Sequence, residues 1–523
     1  MFAIFAAASS TLSEATKDHL STLLLMFLIL LIGLVSKILN DKHVKETVDP
    51  KTAGRACPTP PGPIAWPVLG NLLQLGTKPH VTLTNWRSMY GDVYQMQMGS
   101  RPTVVLNGLE TCRQALVKQA EDFAGRPAFY SFNFIGNGKS MGFCDFGTRW
   151  KYHRRIAQNG VAMFVNDRHN PIEEFIKAEA AFLVQKLNES NGEKFNPHNE
   201  IYYSVGNIIC ALCFGKRYRR DEPDFQQLVK MNEEFMAFAG AGNPVDIMPW
   251  TRWLTKRSFD KFIAILKTMD NFCLRKTKEH LDTYDDSLTR DITDFLIKTV
   301  RDTPQEEKDA AEITDEHIMT TVQEIIGAGF DTIATTLQWG VLLMTRYPEH
   351  QAKVRKEIDA IIGQERAPER SDIGTLPFTE ACILETMRFS CIFPFALPHS
   401  TTRDTVLNGF FIPANTLVFV NQWSITRDES KFPDPEVFDP RRFLTDDGLA
   451  LDKAKAELFL PYGAGRRRCP GEPLAKIEMF IFFVTLLQKC RFEPVVLNMS
   501  TESKYGLTLK PKDFEVYVKP RAL

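Results

Sequence analysis

Phe459-Leu-Pro-Tyr-Gly-Ala-Gly-Arg-Arg-Arg-Cys469-Pro-Gly-Glu-Pro-Leu-Ala-Lys476 is the stretch of this chain whose reading decides the fold. Gly463, Gly465 and Gly471 permit tight turns that keep bulky side chains away from one sulfur, and backbone N–H groups freed by such turns can point at it. Three arginines precede Cys469, and a helix starting near Glu472 would present its positive end to the same atom. Each feature favours thiolate over thiol. A thiolate held by amide hydrogen bonds is the electron-donating axial ligand with which a haem iron splits an O–O bond. On the loop alone, a redox-sensor cysteine and a phosphate-binding glycine loop remain open as other readings.

The other cysteines look different. The chain has 10 Cys in 523 residues, with no regular spacing. That excludes a disulfide framework and implies a reducing compartment. Cys112, Cys144, Cys210, Cys213, Cys382 and Cys490 sit among apolar or helical residues and read as packing thiols. A net charge of -1 gives no bulk attraction to nucleic acid, so no nucleic-acid partner is expected. The 38 Phe against 12 Tyr and 7 Trp supply rings without a polar handle, which suits a greasy interior.

Ahead of this body lies a segment of another kind. Residues 20–36 carry no charge, and Lys37, Lys42 and Lys45 follow them without a small-residue cleavage site. The segment is at the short end for a spanning helix, which needs roughly 17 to 20 apolar residues. It reads as a transmembrane signal anchor, with residues 1–19 lumenal and the rest of the chain cytosolic by the positive-inside tendency. Residues 37–65 form a linker. Its Cys57-Pro-Thr-Pro-Pro-Gly-Pro63 run removes backbone donors and acts as a stiff spacer.

Residues 66–523 hold no second linker or repeat and read as one large, mainly α domain with a small β region. Helices are expected over Leu109–Ala120, Asn170–Leu187, Asp221–Phe238, Ser258–Asp282, Thr314–Arg346, Pro348–Ile362 and Phe378–Phe389. Strands are expected at Val93–Met98, Thr103–Leu106, Thr405–Leu407, Leu417–Val420 and Glu515–Val518. The Thr314–Arg346 helix would be roughly 50 Å long at ~1.5 Å per residue. It carries Gly327 and Gly329 in its middle, each at a cost of ~1 kcal/mol relative to alanine, which suggests a close approach there.

Three further motifs gather around the loop. Glu385-Thr-Met-Arg388 places a carboxylate and a guanidinium on one helix face, and Pro440-Arg-Arg442-Phe follows before Cys469. Ala328-Gly-Phe-Asp331-Thr332 puts an acid and a hydroxyl one turn from two glycines. Trp150-Lys-Tyr-His-Arg154 sets an indole donor and a guanidinium on one face of a helix. With these motifs the chain resembles the cytochrome P-450 superfamily of haem-thiolate monooxygenases, whose ligand loop runs Phe-x-x-Gly-x-Arg-x-Cys-x-Gly. Gly465, Arg467, Cys469 and Gly471 match that pattern, and Tyr462 stands in place of the usual Phe.

The resemblance implies the P-450 fold, a haem b with Cys469 as iron ligand, and a buried triad of Glu385, Arg388 and Arg442. In the family's Pro-Glu-Arg-Phe, Arg441 replaces the Glu, a peripheral departure. It further implies that Arg126, Trp150, Arg154, His399 and Arg467 meet the haem propionates; His399 as a second iron ligand is the sharper alternative, disfavoured because it would block oxygen. Thr332 would hydrogen-bond dioxygen and relay protons, Asp331 would connect that relay to water, and Gly329 would loosen the helical ladder to admit both. The other role open to Thr332 is a hydroxyl bonded back to its own helix.

The resemblance is closest to the vertebrate family 1, aryl-hydrocarbon hydroxylase-like enzymes, with the D subfamily as one candidate. It is carried by Phe123-Ala-Gly-Arg-Pro127, Ala241-Gly-Asn-Pro-Val-Asp246, Pro398-His-Ser-Thr-Thr-Arg-Asp404, Val420-Asn-Gln-Trp423 and Tyr505-Gly-Leu-Thr508. It implies an endoplasmic reticulum enzyme of the unspecific monooxygenase class, hydroxylating or O-dealkylating small hydrophobic substrates: planar aromatics, steroids or fatty acids. Phe143, Phe235, Ala328, Phe393, Leu397 and Leu507 match the family's pocket, with ordinary core packing as their other role. Glu324 stands where relatives often carry Asp, and the extra length would change a pocket-edge hydrogen bond. No glycine-rich flavin or nicotinamide fingerprint occurs, so NADPH-derived electrons are expected from a separate NADPH-cytochrome P-450 reductase, with cytochrome b5 as a further donor and membrane lipid as a partner. Lys151, Arg154, Arg155 and Arg466 to Arg468 would form the basic face that steers such a reductase.

Overall fold

The computed structural model describes Leu23, residues 57–166 and residues 172–521, in which helices dominate and strands are few and short. Apart from Leu23, the expected anchor at 20–36 lies outside the described residues. Among the described residues, no helix is long and apolar enough to cross a membrane.

Local sequence fixes many helix starts. Pro79, Pro223, Pro348 and Pro377 open the helices Pro79–Tyr90, Pro223–Ala241, Pro348–Ile361 and Pro377–Ser390. There the missing N–H would be unpaired in any case and the fixed φ already suits a helix. The strands fall at Val93–Met98, Arg101–Leu106, Thr405–Leu407, Leu417–Val420 and Val516–Pro520, with a few shorter ones. Val93–Met98 pairs antiparallel with Arg101–Leu106, which runs parallel to Leu417–Val420; His399–Ser400 closes that sheet. One expected helix changes character: Leu109–Arg113 is α-helical, but Gln114–Lys118 continues as a π turn.

The core is built around the long helix Glu316–Arg346, 31 residues that are buried along most of their length. It packs most extensively on the helix His198–Phe214, and glycines let the two interlock. A Cβ on Gly329 would lie 2.5 Å from Ile209 Cδ1, and one on Gly206 would overlap the Phe330 ring. The close approach that Gly329 announced is therefore this helix contact. The helix also runs unbroken through Gly327-Ala-Gly329, which corrects the expectation that Gly329 loosens the ladder.

A buried knot fastens the helix Pro377–Ser390 to the loops that follow. Arg388 Nε and Nη2 each donate to the Glu385 carboxylate at 2.7 Å, and both side chains have 0% of their surface exposed. Arg388 Nη1 also donates to Thr426 O and Pro435 O at 2.9 Å. Arg442 Nε stands 3.5 Å from Glu385 Oε1, and its Nη2 donates to Asp434 O at 2.8 Å. Both guanidiniums share the Glu385 carboxylate inside the protein. Arg441 instead pairs with Asp439 at the surface, with 74% of its side chain exposed, which is the peripheral place expected for it.

Candidate active site

The cysteine loop is closed by the Cys469 N–H, which donates to Tyr462 O at 2.8 Å. Gly463 and Gly465 take φ of +69° and +68°, the left-handed region that glycine enters without penalty. Gly465 also has no room for a side chain, since a Cβ would overlap the carbonyl oxygen of Leu116 in the π turn. Gly471 has an ordinary φ of -84° and caps the helix Glu472–Lys489. Its N–H and that of Glu472 favour the charged sulfur, as does the Arg154 guanidinium. Burial nevertheless outweighs them and pushes the Cys469 thiol up, although the residue keeps accessible surface. The amide donors and the guanidinium thus work against burial at this sulfur. A bound metal cation would be needed to hold the sulfur deprotonated.

Of the three preceding arginines only Arg467 turns inward. Its Nε donates to Ala124 O at 2.9 Å, Nη1 to Met141 O at 3.1 Å and Nη2 to Cys144 O at 2.9 Å, while the guanidinium lies over the Trp150 ring at 4.4 Å. Trp150 Nε1 donates to the same Met141 O at 3.0 Å. Arg126 Nε donates to Gly142 O at 2.7 Å, and its Nη1 to Pro398 O at 2.9 Å. Arg154 reaches the carbonyl of Arg468, next to the cysteine. The structure thus brings Arg126, Trp150, Arg154 and Arg467 together beside the cysteine loop.

These arginines differ from the knot in one respect. Among the described residues, no carboxylate forms an ion pair with Arg126, Arg154 or Arg467. Burial, with mutual repulsion, lowers Arg126 well below its ordinary value and takes Arg467 down to about 10. A group bearing two carboxylates would supply the missing counter-charge. The residues therefore fit haem: two propionates for the guanidiniums, an iron for Cys469. His399 fits less directly. Burial and Arg126 lower it to about 3, and its Nδ1 donates to Phe123 O at 2.7 Å. The neutral ring then carries no proton on Nε2, so His399 becomes a donor only when an anion beside it raises that value.

On the long helix, Thr332 Oγ1 donates to Ala328 O at 2.9 Å, the back-bonded arrangement. Asp331 is fully buried: its Oδ2 accepts from Thr508 Oγ1 at 2.7 Å, and Lys510 pairs with its Oδ1. The carboxylate is thus tied to the segment 508–510 and is not open to water. Lys510, 27% exposed, stands between it and solvent. Thr508 lies in a stretch that carried the resemblance; nothing in the sequence signalled Lys510. Ala328 is exposed although it sits mid-helix, and Phe143, Phe235, Phe393, Leu397 and Leu507 are all half-buried. Phe143 and Phe235 pack on one cluster with Phe262, and a Cβ on Gly240, in the Phe235 helix, would lie 2.5 Å from Leu507 N.

The expected basic face is partly neutralised. Lys151 and Arg466 share Glu121 at 3.5 and 3.3 Å, Arg155 pairs with Glu307 at 2.8 Å, and Arg468 with Glu472 at 2.6 Å. Elsewhere Cys112, Cys210, Cys213, Cys382 and Cys490 are buried and burial raises every thiol, consistent with packing roles; Cys144, half-buried, rises to about 11.

Comparison with known proteins agrees with this geometry. The family model described as Cytochrome P450 matches residues 60–518. Cytochrome P450 1A5 of Gallus gallus is 43% identical over 468 residues, covering 87% of this chain and 88% of that protein. Cytochrome P450 1A1 of Homo sapiens is 42% identical over 461 residues, covering 86% and 90%, and that of Sparus aurata is 42% identical over 467 residues, covering 86% and 89%. A cysteine loop beside unpaired buried guanidiniums, the acid–Thr pair on the long helix and this similarity along nearly the whole chain lead to one conclusion: the chain belongs to the cytochrome P450 family of haem-thiolate oxidoreductases.

Proposed function

We propose that the protein is a monooxygenase that takes NADPH-derived electrons from a separate reductase, with cytochrome b5 as a further donor, and inserts one oxygen atom into a planar aromatic, steroid or fatty-acid substrate. The observation that carries the reading is the pairing of the Cys469 loop with buried guanidiniums that lack carboxylate partners. Cys469 would hold the iron of haem b, and Arg126, Trp150, Arg154 and Arg467 its propionates, with His399 joining once protonated. When bound, such a haem supplies reductive activation of dioxygen.

The chain's own residues do the rest. Phe143, Phe235, Phe393, Leu397 and Leu507 form an apolar wall, and the open face of Ala328 leaves room for a flat ring against the long helix. The Thr332 hydroxyl can leave Ala328 O to hold a proton at the oxygen being reduced. Asp331 would exchange protons with solvent by way of Lys510, the half-exposed partner that covers it. The apolar segment 20–36 would anchor the chain in the endoplasmic reticulum membrane. Exposed Ile64, Trp66, Val68 and Leu73, together with Trp250, Trp253 and Leu254, support lipid contact. Both groups flank the Met98–Ser100 turn, where Gly70 bridges Met98 and Ser100 N donates to Ile247 O at 2.9 Å.

A carbon-monoxide difference spectrum of the reduced protein tests the ligand: a red-shifted, thiolate-type Soret band is expected, and its absence from haem-loaded protein overturns the reading. NADPH-driven turnover with added reductase against planar aromatics, steroids and fatty acids then tests the substrate class. In the same assay Thr332→Ala is expected to release peroxide at the expense of product. Unchanged coupling would remove Thr332 from the proton path.

A further inference from the structure

Glu324, on the long helix, reaches across to the turn Ser140–Gly142. Its Oε1 accepts from Ser140 Oγ at 2.5 Å and Gly142 N at 2.6 Å, and its Oε2 accepts from Met141 N at 2.8 Å. The turn is shaped around the carboxylate, since a Cβ on Gly142 would come within 3.0 Å of Oε1. The same turn offers its carbonyls to the haem-side donors. Met141 O receives Trp150 Nε1 at 3.0 Å and Arg467 Nη1 at 3.1 Å, and Gly142 O receives Arg126 Nε at 2.7 Å. Ser140 Oγ also accepts from Phe143 N at 3.2 Å, at the start of the expected substrate wall.

One carboxylate thus holds the segment to which three haem-side donors and a wall ring are attached. A carboxylate suits the place because all three neighbours are donors; a carboxamide would turn an N–H toward one of them. Burial raises this carboxyl, while the Ser140, Gly142 and Met141 donors and the Arg467 guanidinium oppose that; Arg154 also faces it, and neither arginine has a paired carboxylate of its own. The acid expected to change a pocket-edge hydrogen bond is committed, in this chain, to the turn.

We propose that Glu324 is a positioning residue that fixes the Ser140–Gly142 turn, and through it the stance of Trp150, Arg126 and Arg467 toward the haem carboxylates and of Phe143 toward the substrate. This rests on the haem-thiolate reading above. The experiment compares hemin-loaded wild type with Glu324→Gln, Glu324→Ala, Ser140→Ala and, as an exposed control, Arg441→Ala. It times haem transfer to excess apomyoglobin and measures the ferric–ferrous potential. Glu324→Ala is expected to lose haem roughly ten- to a hundredfold faster, the range for residues that orient a metal site from behind. Glu324→Gln should fall between it and wild type, both should shift the potential, and Arg441→Ala should match wild type. Adding Ser140→Ala to Glu324→Ala should accelerate loss no further, because both act through one turn. Wild-type retention and potential in Glu324→Gln and Ser140→Ala, which conserve volume, would overturn the role of Glu324. A wild type whose carbon-monoxide spectrum lacks thiolate ligation would instead overturn the haem reading.

Discussion

Two groups of buried arginines divide this molecule into what holds it together and what it is built to receive. In the knot, Arg388 meets Glu385 through two hydrogen bonds of 2.7 Å, and carbonyls take what remains of its donors. In the site, Arg126 is buried and Arg467 half-buried, and they meet backbone carbonyls and the Trp150 ring but no paired carboxylate. Burying a charge is costly unless it is paired. The knot meets that cost internally. The site leaves it to be met by a ligand, and that is what separates a structural ion pair from a binding site of the same composition.

The comparison breaks first at the knot. Removing one partner of a buried ion pair strands the other and costs about 3–5 kcal/mol. Arg388→Ala should therefore lower the unfolding free energy of the haem-free protein by that amount, with haem content falling as a consequence of misfolding. Denaturant unfolding followed by circular dichroism checks it. A midpoint equal to wild type would mean that Arg442, 3.5 Å from Glu385, suffices alone.

At the site the expected sign is different. Arg126→Met removes an uncompensated buried cation and leaves carbonyls short of a donor, effects that oppose each other within about 1–3 kcal/mol. The haem-free protein should then unfold much like wild type, while haem dissociation accelerates roughly ten- to a hundredfold. Haem transfer to apomyoglobin, read beside the unfolding curve, separates the two. Equal losses in stability and haem retention would place Arg126 with the knot.

Why one group was easier to foresee than the other follows from reach along the chain. Glu385 and Arg388 are three apart on one helix, so their pairing could be read from spacing. The cysteine loop, too, keeps its glycines and arginines within a few residues, and the proline-led helices announce their own starts. By contrast, Asp331 meets Thr508 across 177 positions and Lys510 just beyond, and Glu324 meets a turn that precedes it by far. Neither contact leaves a periodic trace. The helix His198–Phe214 is buried on nearly every side, so it lacks the one-sided pattern that reveals a surface helix.

Glu478 sharpens the contrast from the acidic side. It lies on the helix behind Cys469, almost fully buried, and its Oε1 has no hydrogen-bond partner among the described residues. Burial alone raises it from 4.5 to about 8, so at neutral pH the folded protein holds it protonated. Here the chain avoids an unpaired buried charge by keeping the acid neutral, an option the guanidiniums lack because they do not deprotonate readily. Between pH 4.5 and about 8 the folded state retains a proton that the unfolded state has lost. This group's contribution to stability must therefore be fully present below 4.5 and decline as pH rises to about 8, flattening above it. Glu478→Gln should remove that decline and leave the variant relatively more stable at alkaline than at acidic pH. Unfolding midpoints of both proteins across that range decide the matter: parallel curves would mean that Glu478 is ionised in the folded protein and has found a cation.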